Sequence, residues 1–94
     1  MLIVRNCFVA KPGQASQLAS LLKAATATAN IPRCRILTDL TGEFNRVVLE
    51  YEVDSIAQFE DRMKDYQTNA AFREKMKGYT DLWISGTREI LQTT

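Results

Sequence analysis

The chain has 94 residues, of which 46% are hydrophobic and 24% charged, and its formal net charge is +1. This length makes one domain with a thin core that association with a partner would strengthen, and the composition is that of a folded globular protein rather than a disordered one. Basic and acidic residues are interspersed, with no electrostatic footprint that would hold a polyanion, which argues against a nucleic-acid partner.

The opening segment Met1-Leu2-Ile3-Val4-Arg5-Asn6 has neither the charged region nor the long apolar stretch of a signal peptide. No run of about 18 apolar residues occurs, so no membrane partner is expected and the protein reads as cytoplasmic. Cys7 and Cys34 fall on strands that a third strand separates, roughly 9–10 Å apart from strand spacing, too far for a disulfide.

Leu2 to Ala10 alternate, with Leu2, Val4, Asn6 and Phe8 on one face and Ile3, Arg5, Cys7 and Val9 on the other. Lys11-Pro12-Gly13 breaks this strand. Ala15, Leu18, Leu22, Ala25 and Ala29 then recur at helical spacing, with Pro12 suited to the first turn and the helix reaching about Asn30. After Ile31-Pro32, Arg33 to Leu40 forms a second strand, Thr41-Gly42-Glu43-Phe44 a turn, and Arg46 to Val53 a third strand. Pairing Leu40 with Val47 sets Ile36 against Tyr51, Thr38 against Leu49 and Arg35 against Glu52, so that apolar faces apolar and opposite charges meet.

Ser55 with Gln58 three residues later is a capping-box pattern, and Ile56, Phe59, Met63 and Tyr66 follow at helical intervals. A break near Gln67-Thr68-Asn69 precedes the stripe Phe72, Met76, Tyr79 and Trp83. That stripe predicts a helix running through Gly78 and capped at Gly86. Thr87 to Gln92 supplies the last strand.

The order is β-α-β-β-α-α-β, the split βαβ arrangement, an α+β ferredoxin-like fold with a four-stranded antiparallel sheet and its helices on one face. The opposite face then carries Ile3, Cys7, Val9, Leu37 and Val48 among Arg5, Arg33, Arg35, Asp39, Glu50 and Glu52. It is too apolar for comfortable solvation and too charged for a plain core. A second sheet meeting it with paired charges fits this mixture, and Arg5 with Glu50 is the leading pair.

These segments resemble the dimeric α/β-barrel proteins, in particular their NIPSNAP-like and antibiotic-biosynthesis-monooxygenase-like members. The likeness lies in Lys11-Pro12-Gly13, in Thr41 to Glu50, in Ser55-Ile56-Ala57-Gln58-Phe59-Glu60 and in Ser85-Gly86-Thr87-Arg88-Glu89-Ile90. It implies a homodimer whose interface holds Ile3, Arg5, Cys7, Val9, Arg35, Leu37, Val48, Glu50 and Glu52. It also implies a cavity between sheet and helices in each subunit. Activities on this scaffold include cofactor-free oxygenation of aromatics and oxidative haem degradation, and fold analogy does not choose among them.

Asn6 is the candidate catalytic or ligand-binding residue. Its amide falls among Val4, Phe8, Leu49 and Tyr51, where it must bond neighbouring structure or meet a ligand. In the oxygenases that this chain resembles, an asparagine in a context like Ile3-Val4-Arg5-Asn6 contacts substrate or oxygen. Met63, Tyr66, Phe72, Met76, Tyr79 and Trp83, with Phe8 and Tyr51, would either wall a pocket for a flat apolar or aromatic molecule or serve only as core. The haem-degrading members use a histidine on the later helix; this chain has none, and the corresponding position falls near Met76. Their tryptophan on the preceding helix is also missing, with Met63 or Tyr66 nearest. No metal, phosphate-loop or nucleophile motif occurs, so no cofactor is assigned. An RNA-recognition sheet would display aromatics on its open face, where this chain has Cys7, Val48 and Glu50. Two readings follow: a small-ligand-binding homodimer without turnover, or a cofactor-independent monooxygenase in which the substrate anion supplies the electrons.

Overall fold

A computed structural model describes residues Met1–Thr94. The elements are β1 (Leu2–Ala10), α1 (Ala15–Thr28), β2 (Arg35–Thr38), β3 (Arg46–Val53), α2 (Ile56–Thr68), α3 (Ala70–Met76), a 3₁₀ turn (Tyr79–Asp81) and β4 (Trp83–Gln92). They form one four-stranded sheet in the order β2-β3-β1-β4, antiparallel throughout, the α+β ferredoxin-like arrangement.

The β1–β3 register brings Val4 opposite Tyr51 and Phe8 opposite Val47. On α1, Leu18, Leu22 and Ala25 recur along one face and all three are fully buried, the two leucines in one cluster with Val4, Val47, Leu49, Tyr51 and Val53. Thr26 shares that face and satisfies its hydroxyl by donating to the Leu22 carbonyl at 2.8 Å. Only 12 of the 94 residues are buried in the single chain, so one helix on half of one sheet face supplies most of the core.

Several sequence expectations shift. Pro12 does not open α1. The Gln14 N–H donates to the Lys11 carbonyl at 2.9 Å and Gly13 has φ +80°, so Pro12 and Gly13 fill the central positions of a tight turn and the helix starts at Ala15. The second strand is shorter than expected and its register differs by two residues: Arg35 faces Glu50, Ile36 faces Leu49 and Thr38 faces Val47. A slip of two keeps every side chain on its face, so face patterning could not discriminate between the registers. Leu40 consequently lies outside the core, 99% exposed, beside Phe44 at 87% in the connection from Asp39 to Asn45. The observed register sets Glu50 between arginines of both neighbouring strands. Arg5 Nε donates to it at 2.9 Å and Arg35 binds its other oxygen, while Glu52 pairs with Arg33 at 2.8 Å instead of Arg35. Asp39, expected on the open face, instead lies 3.9 Å from Arg46 in the connection.

Ser55 caps α2, its hydroxyl accepting from the Gln58 N–H at 3.1 Å, and the Gln58 side chain reaches back to the Asp54 N–H. Asn69 ends α2 and caps α3, its side-chain Oδ1 accepting from the Phe72 N–H at 3.0 Å. The long helix expected through Trp83 stops at Met76. Gly78 takes a left-handed φ of +85°, which closes α3 because only glycine adopts that conformation without strain. Trp83 therefore begins β4, and Gly86 is a strand residue facing Phe8 rather than a helix cap. Periodicity missed this because Phe72, Met76, Tyr79 and Trp83 converge on one apolar space from three different elements, and spacing records only the convergence.

Leu18→Ala should lower the unfolding free energy by about 2–5 kcal/mol through loss of buried area and the cavity left behind. Leu40→Ala should change it by less than about 0.5 kcal/mol. Urea denaturation of both variants checks this, and a Leu40 loss matching that at Leu18 would argue for the alternative register.

Candidate functional site

α1 packs on the sheet chiefly over β2 and β3, and α2, α3 and the 3₁₀ turn complete the helical layer beside it. None of those three elements has a buried residue, so the roof stands off the sheet. The space beneath is a cavity of about 370 Å³ walled by sixteen residues, eleven of them hydrophobic.

Asn6, Phe8, Tyr51, Met63, Tyr66, Phe72, Met76, Tyr79 and Trp83 all lie in this wall. Phe8 meets Tyr79 edge-on at 6.5 Å and Trp83 at 5.5 Å between ring centroids, and Tyr66 lies 5.2 Å from Phe72. The wall also contains Leu22, Thr26, Ile31, Leu49, Gly86, Thr87 and Arg88, which sequence reasoning did not select.

Arg88 is the consequential one. It stands opposite Asn6 in the β1–β4 register, and its Nε donates to Asn6 Oδ1 at 2.7 Å. An arginine offers donors only, so the amide oxygen must turn towards it and the Asn6 NH₂ group remains for other partners. The guanidinium carbon lies 5.5 Å from the centre of the Phe59 ring, tying α2 to the rim of the sheet. Two residues before Arg88, a Cβ at Gly86 would come within 3.3 Å of the Phe8 ring, so the glycine allows the close approach of β4 to β1 there.

Burial pushes the Tyr51 phenol up to about 12, reinforced by neighbouring Tyr66 and opposed by Arg88 and Arg62. Tyr66 is also raised, again chiefly by burial; Arg62 stands beside it and counters part of the rise, without a hydrogen bond of acceptable geometry to its oxygen. The Trp83 indole N–H is buried without an acceptor. No group of three or more His, Cys, Asp or Glu side chains is gathered to hold a metal ion, and no helix is long and apolar enough to cross a membrane.

On the other face of the sheet lie Ile3, Arg5, Cys7, Val9, Arg35, Leu37, Val48, Glu50 and Glu52, with no layer over them. The β4 register adds Glu89 opposite Arg5 and Leu91 opposite Ile3. Burial by itself would raise the Glu50 carboxyl, but hydrogen bonds from Arg35 and Arg5 prevail and hold it below its usual range. Both cysteines are free.

No family model matches the chain, and no curated protein matches it in sequence. Solved structures do. A NIPSNAP family protein from Agrobacterium tumefaciens superposes with a TM-score of 0.86 at 13% identity, over 99% of this chain and 92% of that one. An uncharacterised NIPSNAP domain protein from Burkholderia xenovorans gives 0.86 at 12% identity, over 100% and 95%. The fold is NIPSNAP-like. An antibiotic biosynthesis monooxygenase also aligns, with a TM-score of 0.72 at 15% identity over 100% of this chain and 99% of that one. At such identities the likeness is one of fold, and activity must be argued from this chain's own cavity.

Because the folded state holds the Tyr51 proton more tightly than the unfolded chain, its contribution to stability is complete below about pH 10 and is lost as pH rises towards about 12. The melting temperature should therefore fall across that window, and fall less in Tyr51→Phe. Matching falls in both proteins would mean that Tyr51 ionises like an exposed phenol.

Proposed function

We propose that this chain is a homodimeric binding protein for a small, flat, apolar or aromatic molecule held between sheet and helices. The observation carrying the proposal is the cavity of about 370 Å³, whose wall is eleven-sixteenths hydrophobic and includes six aromatic side chains besides Met63 and Met76. Ligand sites are typically concave and mostly apolar, with a few polar groups that fix orientation, and Asn6 supplies such a group here. A wall of aromatic faces and edges favours a planar guest over a branched aliphatic one. Trp83 is the sole tryptophan and lines the cavity, so its fluorescence reports occupancy. A planar aromatic such as naphthalene-2-carboxamide should quench Trp83 emission and raise the melting temperature, as any ligand that prefers the native state must. Emission and melting temperature unchanged at millimolar concentration would defeat the binding reading.

The homodimer is supported by the bare sheet face. Ile3, Val9, Leu37 and Val48 form an apolar set on the face left uncovered, and its charges already pair within the chain as Arg5–Glu50–Arg35, so a partner need not supply counter-ions. Sheets pack face to face through such surfaces. Light scattering at micromolar concentration should give twice the 10.6 kDa mass of one chain, and Val48→Lys, which sets an unpaired charge in that face, should give the single-chain mass. A wild-type monomer would overturn the dimer.

Turnover is the second reading. It is favoured by one feature of the wall, the Asn6 NH₂ group left free once Arg88 occupies its oxygen, which could orient a substrate oxygen or dioxygen beside the rings. On that reading, aerobic incubation with hydroxylated aromatics consumes oxygen and Asn6→Ala abolishes consumption while leaving the dimer intact. Equal rates in both proteins would leave binding without chemistry.

A further inference from the structure

The polar side of this cavity is unbalanced. No aspartate or glutamate lies in its wall, and Arg88, the one charged residue there, has no carboxylate within ion-pair distance. Arg5, Arg33, Arg35 and Arg46 meet Glu50, Glu52 or Asp39, whereas Arg88 is held only by the Asn6 oxygen and by the Phe59 ring. Those two contacts fix the guanidinium without neutralising it. Beside it the Asn6 NH₂ group is unspent, and on the same wall the buried Trp83 N–H lacks an acceptor. The Thr26 hydroxyl is already committed to backbone carbonyls. The Tyr66 hydroxyl in this wall is also buried without a partner, so the wall offers uncommitted N–H and O–H donors, holds no carboxylate to meet them and carries positive charge at its rim.

We infer that the ligand is a planar ring system bearing an oxyanion, with the oxyanion seated on Arg88 and Asn6 at the rim and the ring lying inward against Phe8, Tyr79 and Trp83. This rests on the binding reading above and specifies its ligand class. Arg88 is exposed on its outer side, so the ligand's charge stays partly hydrated and escapes the large cost of full burial while its ring enters the apolar space. A guanidinium preset by a hydrogen bond and a ring contact loses little freedom on meeting the anion, and charge-assisted hydrogen bonds to oxyanions are the stronger class.

The test compares 2-naphthoate with naphthalene-2-carboxamide, which share the ring and differ in charge, by calorimetry at pH 7. Wild type should bind the carboxylate at least tenfold more tightly, with the preference shrinking as salt is raised. Arg88→Met should bind both probes equally, near the wild-type carboxamide affinity, and Arg88→Lys should keep part of the preference and thereby show that charge rather than folding is responsible. Comparable affinities of the two probes in wild type would overturn the oxyanion assignment and leave the binding reading standing; no binding of either would overturn both.

Discussion

Side chains of a strand alternate between two faces, and in this chain a single layer of helices covers only one of them. Everything else depends on that one-sidedness. Even positions of β1 and odd positions of β3 build the core under α1, while the others line a face with nothing above it. The molecule is correspondingly thin, 18 Å in its shortest dimension.

On the open face the organising element is Glu50, only 4% exposed because Arg5 and Arg35 fold over it from the two flanking strands. A carboxylate with so little water needs both partners, and removing either would leave a poorly solvated charge. This arrangement agrees with the β2–β3 register better than apolar matching does. It comes with Leu40 and Phe44 left in solvent, and the Asp39-to-Asn45 connection accommodates them with positive φ at Gly42 and Asn45.

On the covered face the cavity arises where the helical layer changes character. α1 presents leucines that reach the sheet, whereas the residues that α2 and α3 turn to the cavity, Met63, Tyr66, Phe72 and Met76, are aromatic or thioether, and neither helix has a buried residue. Gly78 matters here because it ends α3 and lets the chain turn to start β4 at Trp83, bringing an indole into the sheet side of the cavity instead of its roof. Function is best sought in that space because the one uncompensated arginine of the wall, Arg88, and the one amide, Asn6, meet at its edge.

The sequence by itself determined the order of elements, the two faces of each strand and the set of apolar residues that converge beneath the helices, because period-two and helical spacing are local properties that burial imposes on the chain. It singled out Asn6 for the same reason: a polar residue in an otherwise apolar alternation is visible without a fold. Only the tertiary structure decided which residues stand opposite one another. Arg35 and Glu50, or Asn6 and Arg88, are joined by register, and registers two residues apart preserve every face and so leave no trace in the pattern. The end of α3 was equally invisible, since a stripe continued by a turn and a strand has the spacing of a longer helix. Long-range pairing, not local propensity, therefore set both the charged cluster of the open face and the polar rim of the cavity.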